Sequence, residues 1–269
     1  WEFIVYDNLD RVIATGPALS PFSDLTGSGW LFTKYDTFGR IVYTGWMPAT
    51  VTNNERASLQ ATRNMQTSNL SESKSVSDTT INSVGFRYTS IAWPTSGYHV
   101  LTVNYYDDYD FPNAPTTFDP VEGQIVYYNN TVKPKGLQTG TWKRVPNLAA
   151  SVISESSYSL YDSKDRAIRL KTTNYLGGYA ITDNKFDFTG KVVYSIVRHS
   201  RAGTGEIYVK DSYTYSNQDR LLTHIHQIGE NGVPQLLTKN EYDELGRLIV
   251  KRTGGTDLSG NTSLQKVDY

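Results

Sequence analysis

The 269-residue chain has no Cys, so it can supply no thiol nucleophile, thiolate metal site, iron-sulfur ligand or disulfide. Few other groupings could do chemistry. Asp107, Asp108 and Asp110 stand beside Tyr105, Tyr106 and Tyr109, a density of carboxylates that suggests a calcium loop or a glycosidase pair. An EF-hand loop needs Gly at its sixth place and a closing Glu, and neither occurs at that spacing. A glycosidase needs a second carboxylate from another element. The three are read as a turn with solvated charges. His224 and His226 alternate along the strand-like Leu221 to Ile228 and so share one face, the geometry of a two-histidine metal half-site. His99 and His199 fall in distant segments, and the pair is read as an ordinary strand face. No nucleophile elbow, phosphate-binding glycine loop or His-Glu-x-x-His pattern is present. The expectation is therefore no catalytic residue, no cofactor and no metal: a chain that is not an enzyme.

Charge narrows the partners. With 26 Lys+Arg against 27 Asp+Glu the chain lacks the basic excess that neutralises phosphates, so nucleic acid is not expected. The longest apolar runs, such as Ile125 to Tyr128, fall far short of the roughly 20 residues of a spanning helix, so no membrane-spanning segment is expected. The sequence opens at Trp1 straight into the strand-like Glu2-Phe3-Ile4-Val5-Tyr6, with no signal-peptide pattern. The expectation is a piece of a longer protein whose targeting signal lies outside this chain.

The elements that would position any site follow from an internal repeat. Six segments share a template of aromatic, Asp, two free positions, Gly or Asp, then Arg or Lys. They are Tyr6-Asp7-Asn8-Leu9-Asp10-Arg11, Tyr35-Asp36-Thr37-Phe38-Gly39-Arg40, Tyr161-Asp162-Ser163-Lys164-Asp165-Arg166, Phe186-Asp187-Phe188-Thr189-Gly190-Lys191, Tyr215-Ser216-Asn217-Gln218-Asp219-Arg220 and Tyr242-Asp243-Glu244-Leu245-Gly246-Arg247. Asp at the first turn position bonds its own backbone two residues on, two residues take the centre of a type I turn, and Gly takes the left-handed position of a bulge. Asp10, Asp165 and Asp219 replace that Gly, and Asp tolerates positive φ at modest cost. Each segment is thus the turn of a hairpin, with the Tyr across from the residue after the base. The bases are available for cation-π contacts along an aromatic ladder. The spacing places Tyr269 at the first residue of a seventh unit.

These residues resemble the YD repeats of the RHS family, bacterial rearrangement-hotspot proteins distantly related to the teneurins. The match is specific at Tyr35 to Arg40 and Tyr242 to Arg247 and looser at Tyr215-Ser216. The resemblance implies an all-β fold: a strip of antiparallel β-hairpins forming part of a spiralling shell, with one short helix in an insertion. It also implies a structural wall in a secreted or cell-surface bacterial protein that encloses a toxin or other cargo region. The implied partners are other RHS repeats of the same polypeptide, an enclosed C-terminal cargo, secretion machinery or outer-membrane proteins. The family's self-cleaving core is not recognisable, Phe118-Asp119-Pro120-Val121-Glu122-Gly123 being its nearest fragment at the wrong spacing.

Three regions are expected. YD repeats occupy 1–45 and 158–269, the latter continuing past the end of the chain, and a divergent β segment occupies 46–157. In that segment Thr52-Asn53-Asn54-Glu55 is a capping box opening a helix at about 53–66, with Ala57, Ala61 and Met65 on one face. A Ser/Thr-rich stretch, 67–83, is read as a flexible loop. Strands resume at Phe86 to Trp93 and Tyr98 to Tyr106, where Tyr105 to Pro112 has the look of a decayed YD unit. The alternative reading is a carbohydrate-binding or adhesive surface module, in which Trp1, Trp30, Trp46, Trp93 and Trp142 would line a sugar-binding face; that reading predicts exposed, coplanar aromatics.

Overall fold

A computed structural model describes residues 2–269; Trp1, the first expected strand residue and one of the five tryptophans, lies outside them. Strands β1 (Phe3–Tyr6), β2 (Val12–Leu19), β3 (Ser28–Tyr35) and β4 (Ile41–Pro48) open a sheet. After α1 (Asn53–Asn64) come β5 (Lys74–Ile81) and β6 (Val84–Tyr88), which pair only with each other. The large sheet resumes with β7 (His99–Tyr106), β8 (Gln138–Arg144), β9 (Ser154–Tyr161), β10 (Ala167–Thr173), β11 (Tyr179–Phe186) and β12 (Val192–Ser200). It continues through β13 (Ile207–Tyr215), β14 (Leu221–Ile228), β15 (Gln235–Tyr242), β16 (Leu248–Thr253) and β17 (Gln265–Asp268). The order is sequential over 15 strands, and the sheet is open, with β1 and β17 as its edges. The fold is all-β with one short helix, and each of the six repeated turn segments joins two paired antiparallel strands. No helix among the described residues is long and apolar enough to cross a membrane.

Turn chemistry accounts for the hairpins. In the first, Asp7 N–H donates to the Arg11 carbonyl at 2.9 Å and Asp10 N–H to the Asp7 carbonyl at 3.1 Å. Asp7 Oδ1 accepts from the backbone N–H of Leu9 and Arg11 at 2.9 and 3.0 Å. Asp10, Asp165 and Asp219 have φ of 57, 60 and 65°, beside Gly39, Gly190 and Gly246 at 78, 100 and 77°. That left-handed residue is why the register shifts by one at Tyr6, pairing it with Val12, and likewise at Tyr35, Phe186, Tyr215 and Tyr242.

The chain divides into two compact units. The first, up to Thr116 together with Lys133–Tyr158, carries a second layer. Its β5–β6 hairpin sets Phe86 against Tyr43 at 4.8 Å and Tyr88 against Tyr105 at 5.8 Å between ring centroids. The expected loop at 67–83 is therefore corrected: Lys74–Ile81 is a strand, because Lys74 and then Thr79, Thr80 and Ile81 of this polar run pair with β6, whose inner residues Val84, Phe86 and Tyr88 are buried. Phe86 to Trp93 likewise belongs in part to this small sheet and not to the strip. The helix starts at the Thr52 cap as its capping box demands, but its apolar stripe is not buried. Met65 ends the helix 76% exposed, and only Leu59 reaches the apolar cluster around Trp30.

The second unit, Thr117–Val132 with Ser159–Tyr269, is mostly sheet with few fully buried residues. Its one wholly buried carboxylate, Asp183, is held by Arg169 at 2.6 and 2.7 Å and by Arg198 at 2.9 Å, from the strands on either side. Residues 117–132 fold onto it through Lys185 Nζ to the Glu122 carbonyl (2.8 Å) and Gln124 Nε2 to the Asn184 carbonyl (2.7 Å).

Candidate functional site

The turns of the six repeated segments carry the densest recurring chemistry. In four of the six turns the base returns to its own Asp: Arg11 Nε, Arg40 Nε, Arg166 Nε and Arg247 Nε donate to Asp7, Asp36, Asp162 and Asp243 at 2.7–2.8 Å. Burial works against ionisation of Asp162, but hydrogen bonds from the Arg166 side chain and from the Arg166 and Lys164 backbone outweigh it and keep the carboxyl below the usual range.

The bases of the first five turns also reach the turn that follows in the sheet. Arg11 lies over the Tyr35 ring at 4.7 Å and donates to the Asp36 carbonyl at 3.4 Å, while Tyr35 OH donates to the Val12 carbonyl at 2.7 Å. Arg166 lies over Phe186 at 4.9 Å and donates to the Asp187 carbonyl at 2.8 Å. Lys191 lies over Tyr215 at 5.5 Å and meets Asp219 at 2.5 Å, and Tyr215 OH donates to the Val192 carbonyl. Arg220 lies over Tyr242, whose OH donates to the Leu221 carbonyl at 3.0 Å. A Cβ at Gly246 would fall 1.2 Å from the Arg220 guanidinium. Aromatic and base thus join consecutive hairpins, and the rings alternate with bases along the turn row. Each such staple combines a hydrogen bond worth about 0.5–1.5 kcal/mol with a cation-π contact of about 0.5–1 kcal/mol.

One member is hidden in the divergent segment. Tyr106 lies under Arg40 at 4.4 Å, its OH donates to the Ile41 carbonyl, and Arg40 clasps Asp107 at 3.0 and 2.7 Å. The Arg40 hydrogen bonds hold the Asp107 carboxyl below the usual carboxylate range. Asp107 N–H donates to the Leu137 carbonyl and Tyr106 pairs with Gln138, so the whole Asp107–Leu137 segment stands where other hairpins have a five-residue turn. The expectation of solvated charges is corrected for Asp107 and Asp108, the latter pairing with Lys74, because the β5–β6 hairpin and the preceding turn bring bases from elsewhere; Asp110 meets Arg87 at 3.1 Å but stays 62% exposed, as expected. At the opposite ends of the strands, Asn174-Tyr175-Leu176-Gly177-Gly178 makes the same turn with Asn for Asp and no base, through Asn174 Oδ1 and the N–H of Leu176 and Gly178. Its Asn-x-x-Gly signal was there to read.

On β14, His224 Nε2 and His226 Nδ1 both approach Oδ1 of Asp211 on the facing strand β13, at 2.7 and 2.9 Å. Burial opposes ionisation at Asp211, and the two histidines overcome it to hold the carboxyl below its ordinary range. Among the described residues no group of three or more His, Asp or Glu is arranged to hold a metal. Trp30 and Trp46 are buried and Trp93 and Trp142 partly so, so no exposed row of indoles forms among the described residues.

Two groups had no sequence signal. Lys34 and Glu72, both fully buried, meet at 2.9 Å. Glu72 also accepts from Thr89 Oγ1 (2.6 Å), Tyr43 OH (3.1 Å) and the N–H of Ile91 and Ala92 (3.0 and 3.1 Å). Burial lowers Lys34 to about 8 against the opposing pull of Glu72. The second is an edge cap: Gln60 of α1 accepts from Tyr6 N–H at 2.9 Å and donates to its carbonyl at 3.0 Å, and Arg56 donates to the Ile4 carbonyl at 3.0 Å. These side chains occupy outward backbone groups of edge strand β1.

No family model matches the chain, and no curated protein matches it. Among solved structures, that of TcdB2-TccC3-Cdc42 is similar over 94% of this chain and 11% of its own, at 14% identity and a TM-score of 0.22. The structure of TcdB2-TccC3 without its hypervariable C-terminal region is similar over the same shares at 14% identity and a TM-score of 0.23. The chain spans about a tenth of the length of these structures.

Proposed function

We propose that the chain is a structural β-repeat wall of a secreted or cell-surface bacterial RHS-type protein, enclosing or presenting a cargo region of the same polypeptide, and that it does no covalent or acid/base chemistry itself. The staple between consecutive turns carries this reading. A catalytic site gathers its charged groups around one void. Here the recurring bases are spread along the row of turns, and Arg11, Arg40, Arg166, Lys191 and Arg220 each join their hairpin to the next. The test is protease protection in the secreted parent protein. Arg166→Ala with Lys191→Ala should open the cargo region to trypsin, while Asp211→Asn with His224→Gln leaves protection and activity within a few fold. Equal cargo sensitivity with and without the staples would count against the wall.

A second reading rests on one groove of the first unit. Trp30, Met47, Ala49, Leu59 and Trp93 floor an open groove of about 520 Å³ whose rim carries Thr50, Asn54, Glu55 and Ser58. An aromatic floor with hydroxyl and amide neighbours suits one sugar ring. Titration of tryptophan fluorescence with a glycan panel, unmoved at millimolar sugar, would remove it.

A further inference from the structure

We propose that a cleft of the first unit, between the turn that carries Phe38 and the turn at 133–136, binds an acidic peptide segment bearing an aromatic side chain. The inference goes beyond the wall reading and does not rest on it.

The cleft has two fixed walls. Phe38, Arg40, Asp107, Lys133, Lys135 and Gly136 line an open space of about 610 Å³, a volume in the range of ligand pockets. On one side the turn itself sets the ring: Phe38 N–H donates to Asp36 Oδ1 at 2.9 Å, and the side chain projects 80% exposed, with the Arg40 guanidinium 5.0 Å from the ring centroid. On the other side, Lys135 N–H donates to the Lys133 carbonyl at 2.9 Å and Leu137 N–H to the Pro134 carbonyl at 3.2 Å. Gly136 N–H donates to Asp107 Oδ1 at 2.6 Å. Asp107 is clasped by Arg40, so the turn with the two lysines is pinned to the hairpin with the ring.

Charge selects the occupant. The carboxylates at the cleft are already engaged: Asp36 accepts from the N–H of Phe38 and Arg40 and from Arg40 Nε, and Asp107 accepts from Arg40 and Gly136. The lysines keep donors to spare. Lys133 Nζ lies 3.8 Å from Asp108, beyond hydrogen-bond reach, while Asp108 holds Lys74. Lys135 has no ion-pair partner among the described residues. An exposed ring flanked by lysine stems offers apolar surface to a second ring, and two ammonium groups two residues apart call for more than one carboxylate. A peptide with acids on both sides of an aromatic residue supplies both, whereas a free aromatic acid brings one carboxylate to two cations.

The test titrates the full chain with the blocked peptide Glu-Glu-Phe-Glu-Glu and follows amide resonances by NMR. Saturating shifts are expected at Phe38, Lys135 and Gly136. Glu-Glu-Ala-Glu-Glu should bind about tenfold more weakly for want of the ring, and Lys-Lys-Phe-Lys-Lys should not bind. Phe38→Ala should weaken the first peptide about fivefold or more, and Lys133→Gln with Lys135→Gln by about as much, with the other resonances and the urea midpoint unchanged. Lys133→Glu with Lys135→Glu should abolish binding. No shifts at millimolar peptide, or undiminished binding once both lysines are replaced, would overturn the site. Equal binding of the alanine peptide would overturn the aromatic part of the occupant, and equal binding of the lysine peptide its acidic part. Each of these failures leaves the wall reading standing.

Discussion

Gly39 and Gly246 occupy the same left-handed turn position, yet their surroundings differ. A Cβ at Gly39 meets nothing within 4 Å, whereas one at Gly246 meets the Arg220 guanidinium. Gly39→Ala should therefore cost only the backbone strain, about 1–2 kcal/mol. Gly246→Ala should cost that plus the displaced Arg220 contact with Tyr242, about 0.5–1 kcal/mol more. Urea midpoints of the two variants measure the difference. At Lys34 the physics is charge burial. Removing Lys34 alone leaves Glu72 buried without its cation and should cost about 3–5 kcal/mol, while Lys34→Met with Glu72→Gln should recover most of that. A lysine at about 8 when folded, against 10.5 when unfolded, binds its proton more weakly in the fold. Its burial therefore counts against stability below about pH 8, and that penalty fades as pH rises toward 10.5. Burial pushes Tyr43, Tyr88 and Tyr105 above the ordinary phenol value, so the unfolded chain ionises first and stability falls beyond about pH 10. Wild type should gain urea midpoint between about pH 7.5 and 9.5 relative to the double variant, and both should lose it above about pH 10.

Between elements, the same residue type should matter by position. Arg166→Ala removes the Asp162 pair, the bond to the Asp187 carbonyl and the Phe186 contact, and should cost about 1–3 kcal/mol. Arg247→Ala removes an exposed pair and should stay within about 1 kcal/mol. Denaturant titration of both variants side by side decides it, and equal losses would mean the staples do not couple hairpins. The helix matters through its polar side chains. Arg56→Ala with Gln60→Ala should leave α1 formed but free the outward groups of β1, raising exchange at Tyr6 N–H and promoting concentration-dependent self-association by light scattering. The capping box announced this helix correctly. Its Ala57, Ala61 and Met65 share one face yet stay exposed, because sequence periodicity cannot tell a helix that packs from one that guards an edge.

Across the molecule, twenty of the twenty-six buried apolar residues among those described lie in the first unit. The aromatic layer of Phe32, Tyr43, Phe86, Tyr88, Tyr98 and Tyr105 accounts for much of that. The second unit keeps Ile207, Ile228, Leu237 and Leu264 exposed. Amides of β3, β4 and β7 should accordingly exchange more slowly than those of β12 to β16, and a dye that reports apolar surface should bind the native chain. Uniform protection across both units, with no dye bound, would contradict the difference in burial.

The sequence by itself determined the hairpins and their turns. Asp-x-x-Gly-Arg with a preceding Tyr is local chemistry: an Asx bond, a left-handed residue and a base four positions on, all satisfied within six residues. The fold class followed, because such turns at near-constant spacing leave the intervening segments only antiparallel neighbours to pair with. Tertiary structure alone decided what each base and Tyr does next. Arg40 and Asp107 are 67 residues apart and Lys34 and Glu72 are 38 apart, separations at which no periodicity operates. The β5–β6 layer, the helix guarding β1 and the register of β17 have the same origin; that register sets Asp268 against Val250, which leaves Tyr269 two residues short of the place opposite Arg247 and so not the aromatic of a seventh unit. Each depends on strand register and on which segments the chain brings together, and these are set by pairing across the sheet, which the order of residues along one strand does not encode.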